Sequence, residues 1–274
     1  MMGFVIVTAE DHAIVIDGGR PEDMPLLKKL VGGRHISAWI LTHAHNDHIS
    51  GFVDEWKKNG AADFDIERVY YHFPPYRELI SRADEAPNPA YFKRELNEML
   101  PAFLEIEPML GDRAVIVSKG DTVTLDECRI EFLFSYRDGL FGNLMNDASL
   151  VFRISTPHKS VIFLGDLGPE AGDLLLLEQC GRLSADIVQV AHHGHMGVGP
   201  EIYIEIMPKA CLWCAPDWLY EEQEILYNGH SGFFERRAKG RSRLYGTKMT
   251  RKWLDAIGVR EHYVSKDGTQ AIEL

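Results

Sequence analysis

Short runs of β-branched and other apolar residues, separated by glycine, proline and polar turns, recur along the chain and predict β-strands. A short acidic turn joins the first two runs, which predicts a hairpin. The predicted strands cover residues 4–8, 13–16, 36–41, 69–71, 114–117, 122–125, 130–134, 150–154, 161–164, 187–190, 210–214 and 269–272.

Apolar residues at helical spacing and nearby helix-ending signals predict helices between these strands. One helix starts at Asp47, whose carboxylate is expected to cap it. The other predicted helices cover residues 21–31, 91–100, a segment after Pro169, and 252–257. Isoleucines at positions 202, 204 and 206 fit either a strand or a helix. Strands and helices mixed throughout the chain indicate one layered α/β domain over residues 1–274.

Residues 73–110 differ in character, because they hold six of the 13 prolines together with a helical stretch. We expect them to form a helical insertion at one edge of the core. Two interpretations remain open: a lid over a site, or a helical connection without a role of its own.

Composition and charge limit the function. The chain is 45% hydrophobic and 26% charged, which is typical of a globular protein. Its net charge of −12 argues against bulk binding to nucleic acid, which is driven by basic residues. No apolar run reaches the ~20 residues of a membrane span, and no secretory signal is recognised, so we expect a cytoplasmic protein without a membrane partner. The sequence does not define an oligomeric state.

The four cysteines do not indicate a disulfide scaffold. Cys211 and Cys214 form a CxxC pair, but they lie in the apolar run 210–215. We therefore interpret this pair as part of a buried strand rather than a metal or redox site.

A repeated pattern divides the chain into two similar halves. In each half a strand ends at an aspartate beside glycine, a proline opens the following helix, and the next apolar strand ends at a histidine. The spacing is 26 residues both from Asp17 to His43 and from Asp166 to His192. We expect duplicated halves whose aspartates and histidines meet at one rim.

The strongest chemical signal is the sequence Thr-His-Ala-His-Asn-Asp-His at residues 42–48. Its imidazoles and carboxylate belong to His43, His45, Asp47 and His48, a set that suits zinc, iron or manganese. Asp166 and the sequence His-His-Gly-His at residues 192–195 form a second cluster. The repeat favours His192 over His193 as a ligand, because His192 occupies the place of His43.

These motifs resemble those of metallo-β-lactamase-fold hydrolases over essentially the whole chain outside 73–110. The resemblance implies a four-layer αββα sandwich, in which two mixed β-sheets are flanked by helices and hold one or two metals. Asp17 matches the aspartate that orients ligands from behind. His43, His45, Asp47 and His48 match the HxHxDH motif, Asp166 the bridging carboxylate and His192 the last histidine ligand.

One motif departs from that pattern, because no histidine stands between HxHxDH and the bridging aspartate. The corresponding stretch is Leu-Met-Asn-Asp-Ala-Ser-Leu-Val at 144–151. Its Asn and Ser-Leu-Val resemble the hydrolase domain of the DNA-uptake channel proteins of bacterial competence. We favour Asn146 as the replacement ligand, with Asp147 or a water as alternatives.

The resemblance implies two divalent metal ions, with zinc favoured and manganese or iron as alternatives. One ion would take His43, His45, Asp166 and Asn146, and the other Asp47, His48, Asp166 and His192. A water shared by such ions ionises near pH 7, so hydroxide would be the nucleophile. Asp47 would accept a proton during the attack, and Asp17 would fix a ligand's tautomer.

Other residues are candidates for contact with the substrate. His72 could line the pocket, and His195 and His230 could donate protons to a leaving group. A basic run at residues 236–243 could bind phosphate or form a solvated loop. The predicted function is hydrolysis of a phosphodiester or related ester. The alternatives are a thioester, lactone or amide hydrolase of the same fold, or a catalytically degenerate metal-binding regulatory module.

Overall fold

The computed structural model of the protein describes residues 3–140, 143–222 and 246–274. The chain divides into two compact units, Met1–Phe152 and Arg153–Leu274. His230 and the basic run at 236–243 lie outside the described residues. Within the described residues the strands form two mixed sheets, of six and seven strands, flanked by helices. This confirms the predicted fold class.

The first unit is built on the six-stranded sheet, whose order is β1-β2-β3-β5-β6 with β4 paired to β3. The predicted hairpin is confirmed, because β1 and β2 pair antiparallel, whereas the other pairs in this sheet are parallel. Outside this six-stranded sheet, strands β7 and β8 form a second antiparallel pair. The bounds are β1 (Gly3–Val7), β2 (Ala13–Asp17), β3 (His35–Ile40), β4 (Asp65–Ile66), β5 (Val69–Tyr71), β6 (Ala114–Ile116), β7 (Thr122–Leu125) and β8 (Cys128–Phe134), followed by β9 (Val151–Ser155).

The helices of the first unit cover its sheet with apolar faces. On α2 the four apolar positions predicted from the sequence, Ile49, Phe52, Val53 and Trp56, are all buried. Three of the helices fall in the range predicted as a helical insertion. The bounds are α1 (Met24–Val31), α2 (Asn46–Asn59), α3 (Tyr76–Ser81), α4 (Pro89–Glu98), α5 (Leu100–Leu110) and α6 (Leu144–Asp147).

The second unit contains a parallel run of strands in the order β13-β12-β11-β10. The ambiguous isoleucine segment is helix α8, in which Ile202 and Ile206 are buried one turn apart while Ile204 is 53% exposed. The bounds are β10 (Ser160–Phe163), β11 (Ile187–Gln189), β12 (Ala210–Trp213), β13 (Glu261–Val264), α7 (Pro169–Gln179), α8 (Pro200–Ile206), α9 (Asp217–Tyr220) and α10 (Thr247–Ala256).

The strand predicted at residues 269–272 is wrong, and the last strand, β13, lies earlier in the chain. A short 3-10 turn over Ser265–Asp267 ends the strand, and Gly268 follows with φ 89° in the left-handed region. The turn takes residues 269–271 into solvent, where they are exposed. Pairing with β12 stabilises β13, although its sequence carries no strong strand pattern.

The cysteines are free thiols. Cys211 is fully buried within β12, as predicted for the CxxC segment, and burial raises the pKa of its thiol. Cys128 is also buried, which raises its pKa to about 11, whereas Cys180 is exposed. Of the helices described, none has the length and hydropathy needed to cross a membrane.

Candidate metal-binding sites

We call residues 42–48 the histidine loop; they include most of the connection between β3 and α2 and the first three residues of α2. His45 is extended, with φ −98° and ψ 158°, and α2 begins directly after it at Asn46. The prediction that Asp47 caps the helix is therefore wrong, because the N-cap residue is His45, two residues earlier. Asp47 lies instead in the first helical turn, where a negative charge interacts favourably with the helix dipole.

Asp17 ends β2 and supports this loop from behind. Its Oδ1 accepts a hydrogen bond from the Thr42 backbone amide at 2.7 Å. Its Oδ2 accepts from the Thr42 hydroxyl at 2.7 Å and from His48 Nδ1 at 2.8 Å. Burial raises the pKa of Asp17, while His48 and Thr42 oppose this shift. The contacts make His48 Nε2 the nitrogen that would bind a metal, consistent with an orienting role for Asp17.

The tautomer of His43 follows from the same network. The Thr42 hydroxyl has one proton and donates it to Asp17, so it can only accept from His43 Nδ1, at 3.1 Å. The His43 lone pair therefore lies on Nε2, which is 3.1 Å from His45 Nδ1. Two imidazole nitrogens bound to one tetrahedral zinc at about 2.0–2.1 Å would be roughly 3.3 Å apart. This pair of nitrogens thus fits a shared metal ion.

Sequence reasoning missed a carboxylate on the other side of the His45 ring. Glu95, on α4, places Oε2 3.2 Å from His45 Nε2. Glu98, one turn further along α4, accepts a hydrogen bond from the Asn46 amide at 3.1 Å. Burial alone would raise the pKa of Glu95, but the contacts with His45 and Arg94 outweigh it, and the pKa lies below its ordinary value. Two glutamates on a helix are too common to signal such a role in sequence.

The segment that lacks the usual third-motif histidine lies beside the start of the histidine loop. The Leu150 amide donates to the Thr42 carbonyl at 2.8 Å. Asn146 is buried on α6, and its Nδ2 donates to Asn143 Oδ1 at 3.2 Å, so Oδ1 is the atom of Asn146 that could bind a metal. Asn143 Oδ1 also accepts from the Tyr91 hydroxyl on α4 at 2.8 Å. Metal binding by Asn146 stays a prediction.

His72 follows β5 and is half-buried. Its Nδ1 donates to the Val117 carbonyl at 2.6 Å and also lies 3.4 Å from the Ser118 hydroxyl oxygen. Its predicted role in substrate binding stays a prediction.

In the second unit Asp166 lies on a loop that the Gln189 side chain holds in place. Gln189 Oε1 accepts from the amides of Leu164 and Gly165 at 2.9 and 2.8 Å, and its Nε2 donates to the Gly165 carbonyl at 3.1 Å. The His192 amide donates to the same carbonyl at 3.1 Å. These bonds tie the ends of β10 and β11 together, so Asp166 and the histidine turn at residues 191–195 are neighbours.

The histidine turn presents His193, rather than His192, to the carboxylate. His193 Nε2 is 3.3 Å from Asp166 Oδ2, whereas His192 Nε2 is 4.0 Å away. His193 Nδ1 donates to the Cys214 carbonyl at 2.7 Å, which puts the lone pair on Nε2. His192 and His193 both adopt left-handed backbone, with φ of 50° and 55°. Such conformations cost about 1–3 kcal/mol each and cluster at functional sites.

His195 closes the turn, and its Nδ1 lies 3.0 Å from the His192 carbonyl. Burial lowers its pKa well below the ordinary value, and the nearby rings of His192 and His193 add to this. The imidazole is therefore neutral at pH 7, with Nδ1 as the protonated nitrogen. Its predicted part in catalysis stays a prediction.

Both clusters lie in a part of the sequence that matches the model of a known protein family. The profile of the metallo-beta-lactamase superfamily matches residues 4–198, a range that includes both clusters. The chain belongs to the metallo-beta-lactamase superfamily. No curated protein matches the sequence.

Among the solved structures that resemble this one, the first described here supports the fold. The metallo-beta-lactamase fold protein YhfI from Bacillus subtilis is 13% identical, with a TM-score of 0.52 over 96% of this chain and 87% of that chain. MEM-A1, a subclass B3 metallo-beta-lactamase from a soil metagenome library, is 18% identical, with a TM-score of 0.44 over 69% and 72% of the two chains. A diphosphatase from the PhnP family is 13% identical, with a TM-score of 0.41 over 75% and 68%.

Proposed function

We propose that this protein is a metal-dependent hydrolase of phosphodiesters or related esters. The observation that carries the proposal is the pair formed by His43 Nε2 and His45 Nδ1, which face each other at 3.1 Å. In each ring the opposite nitrogen contacts a protein oxygen, Thr42 Oγ1 or Glu95 Oε2. Two facing lone pairs repel each other unless a proton or a metal ion lies between them, so this arrangement is compatible with a shared metal ion.

The proposed ligands fall in two clusters, and the proposed metals are two divalent ions, with zinc favoured over manganese and iron. Such ions would polarise the ester oxygen and lower the pKa of water. In the second unit the distances favour His193 over His192 beside Asp166. Asn146 remains a proposed further ligand. The set in the first unit is His43, His45, Asp47 and His48, and the set in the second is Asp166 with one histidine of the turn.

The remaining residues would orient ligands and move protons. Asp17 holds the Nδ1–H of His48, so the ring cannot rotate or change tautomer without breaking a buried hydrogen bond. Asp47 would accept a proton as water attacks the ester. His195 is neutral and protonated at Nδ1, so a donor role toward the leaving group would require the proton to leave from that atom.

The substrate class rests on the departure from the usual third motif. Asn146 and the Ser-Leu-Val that follows it resemble the hydrolase domain of the competence DNA-uptake proteins. We therefore propose a phosphodiester as the substrate. With a net charge of −12, the protein has no general attraction for polyanions, so the ions themselves would neutralise the phosphate.

The test combines metal content with hydrolysis by the full chain. The protein is reloaded with zinc or manganese, and mass spectrometry measures the number of bound metal ions per chain. The loaded protein is then assayed on bis(p-nitrophenyl) phosphate, a thioester and a lactone. We expect two ions per chain and hydrolysis of the phosphodiester. His43→Gln should lose metal and activity, whereas His12→Gln, at a half-exposed histidine that contacts Asp126, should lose neither. Hydrolysis of the lactone or thioester alone would contradict the proposed phosphodiester substrate class. Bound metal without hydrolysis of any of the three substrates would contradict the proposed enzymatic function.

A further inference from the structure

Helix α4, from the predicted insertion, contacts the histidine loop through two carboxylates. Glu95 and Glu98 are one helical turn apart, so their side chains project from the same face. Glu95 reaches the His45 ring and Glu98 the Asn46 amide, which are adjacent positions of the loop. Helix α4 is therefore hydrogen-bonded to the part of the histidine loop that carries a proposed ligand.

Glu95 is buried to an extent that needs a reason. Only 4% of the residue is exposed, and the neighbouring Phe92 and Leu96 are buried as well. A buried carboxylate destabilises a protein unless it is paired and hydrogen-bonded. The Arg94 guanidinium approaches Oε1 at 3.3 Å, but that side chain is 66% exposed. The less exposed partner of Glu95 is the ring of His45, whose side chain is 13% exposed.

The contact defines which nitrogen of His45 carries the proton. A carboxylate can only accept, so His45 must donate Nε2–H to Glu95 Oε2. In the neutral ring the lone pair is then on Nδ1, the atom that faces His43 Nε2. If Glu95 were absent, the proton could move to Nδ1 and the loop would present the wrong nitrogen.

We propose that Glu95 is the positioning residue for His45: its carboxylate holds the Nε2–H tautomer and so presents Nδ1 to the metal. The inference rests on the proposed function, in which His45 is a ligand. This role for Glu95 gives helix α4 a part in the proposed metal site. Loss of a hydrogen-bond partner of this kind typically lowers metal affinity by about 10- to 100-fold.

The first measurement is the tautomer of His45 in the metal-free full chain. Long-range 1H–15N correlation spectra of protein labelled with 15N-histidine distinguish protonated from unprotonated ring nitrogens, and His45→Gln assigns the signals. We expect a protonated Nε2 in the unaltered protein and in Glu95→Gln, because the amide oxygen can still accept. In Glu95→Leu, which removes the acceptor at similar size, this preference should be lost.

The second measurement is zinc affinity by chelator competition. Glu95→Leu should bind zinc about 10- to 100-fold more weakly, and Glu95→Gln should retain more of the affinity. Glu105→Gln removes the same charge from the neighbouring helix α5, where Glu105 pairs with Lys57, and should leave zinc binding unchanged. A Glu95→Leu variant with the original tautomer and affinity would overturn the inference.

Glu98→Gln distinguishes positioning from direct coordination. If it weakened zinc binding as much as Glu95→Leu, a cation held by His45, Glu95 and Glu98 would replace the proposed role. A protein that bound no zinc but changed tautomer in Glu95→Leu would contradict the proposed function and still support the role of Glu95 toward His45.

Discussion

Gly51 lies where helix α2 contacts the turn after Asp17, and alanine at this position should loosen the histidine loop. A Cβ atom there would lie 2.9 Å from the Arg20 carbonyl oxygen and 2.8 Å from Met24 Sδ. The methionine can move, but the carbonyl belongs to the backbone. The Gly51 amide also donates to the Gly19 carbonyl at 2.9 Å, so the helix cannot shift away without stretching that bond.

Two opposing effects determine the magnitude. Alanine favours a helix interior over glycine by about 1 kcal/mol. Overpacking against a rigid neighbour costs about 1–3 kcal/mol. We therefore expect Gly51→Ala to lower the free energy of unfolding by roughly 0–2 kcal/mol. The turn also donates two amides to the His48 carbonyl, at 2.8 and 2.9 Å, so zinc affinity should fall as well.

Gly172, inside helix α7, provides a matched control. A Cβ atom there would meet Val198 Cγ1 at 3.0 Å and Val198 Cβ at 3.2 Å, which is a looser approach than the one at Gly51 and involves no backbone carbonyl. Gly172→Ala should therefore be neutral or stabilising by up to about 1 kcal/mol. Urea unfolding followed by tryptophan fluorescence and circular dichroism measures both variants. If Gly51→Ala were as stable as Gly172→Ala and bound zinc normally, the close approach of α2 to the turn would not matter.

Two further predictions concern the second unit. His193→Gln should reduce zinc binding more than His192→Gln, because His193 Nε2 is closer to Asp166 and its Nδ1 is held by a carbonyl; the reverse order by metal analysis would restore His192 as the ligand. Cys180 should react with a thiol reagent within the folded protein, whereas Cys211 should react only on unfolding, because it is buried and its raised pKa keeps it protonated. Equal labelling of both, measured by peptide mass spectrometry, would contradict the buried position of Cys211.

The histidine loop was predictable because its proposed ligands all lie within residues 43–48. A strand end, a run of imidazoles and a helix start are local features that a sequence shows directly. The exact start of α2 was not predictable, because the backbone angles of His45 decide it. The third-motif region was identified by what it lacks, and only the structure shows that Asn146 contacts Asn143.

The contact of Glu95 with His45 and the approach of His193 to Asp166 were not predictable, for different physical reasons. Glu95 is 50 residues from His45, and its burial depends on how α4 packs, which a helix pattern does not define. For His193, counting residues within the repeat favoured its neighbour. Two successive left-handed residues change the direction of the side chains in this turn, and the sequence pattern carries no sign of that. Strand β13 was missed because its pairing with β12 outweighs a weak local pattern.

The imidazole rings of His43, His45 and His193 are each hydrogen-bonded through the nitrogen opposite the proposed metal-binding nitrogen. These hydrogen bonds are the reason why helix α4 and the loops that supply the partners should matter for metal binding. Thr42 holds His43, Glu95 holds His45, and the Cys214 carbonyl holds His193. All of these contacts join protein atoms, so folding alone can define the orientation and tautomer of each ring before a metal binds. Metal binding then does not have to include the free-energy cost of reorienting the rings. It follows that changes at these partners should lower metal affinity.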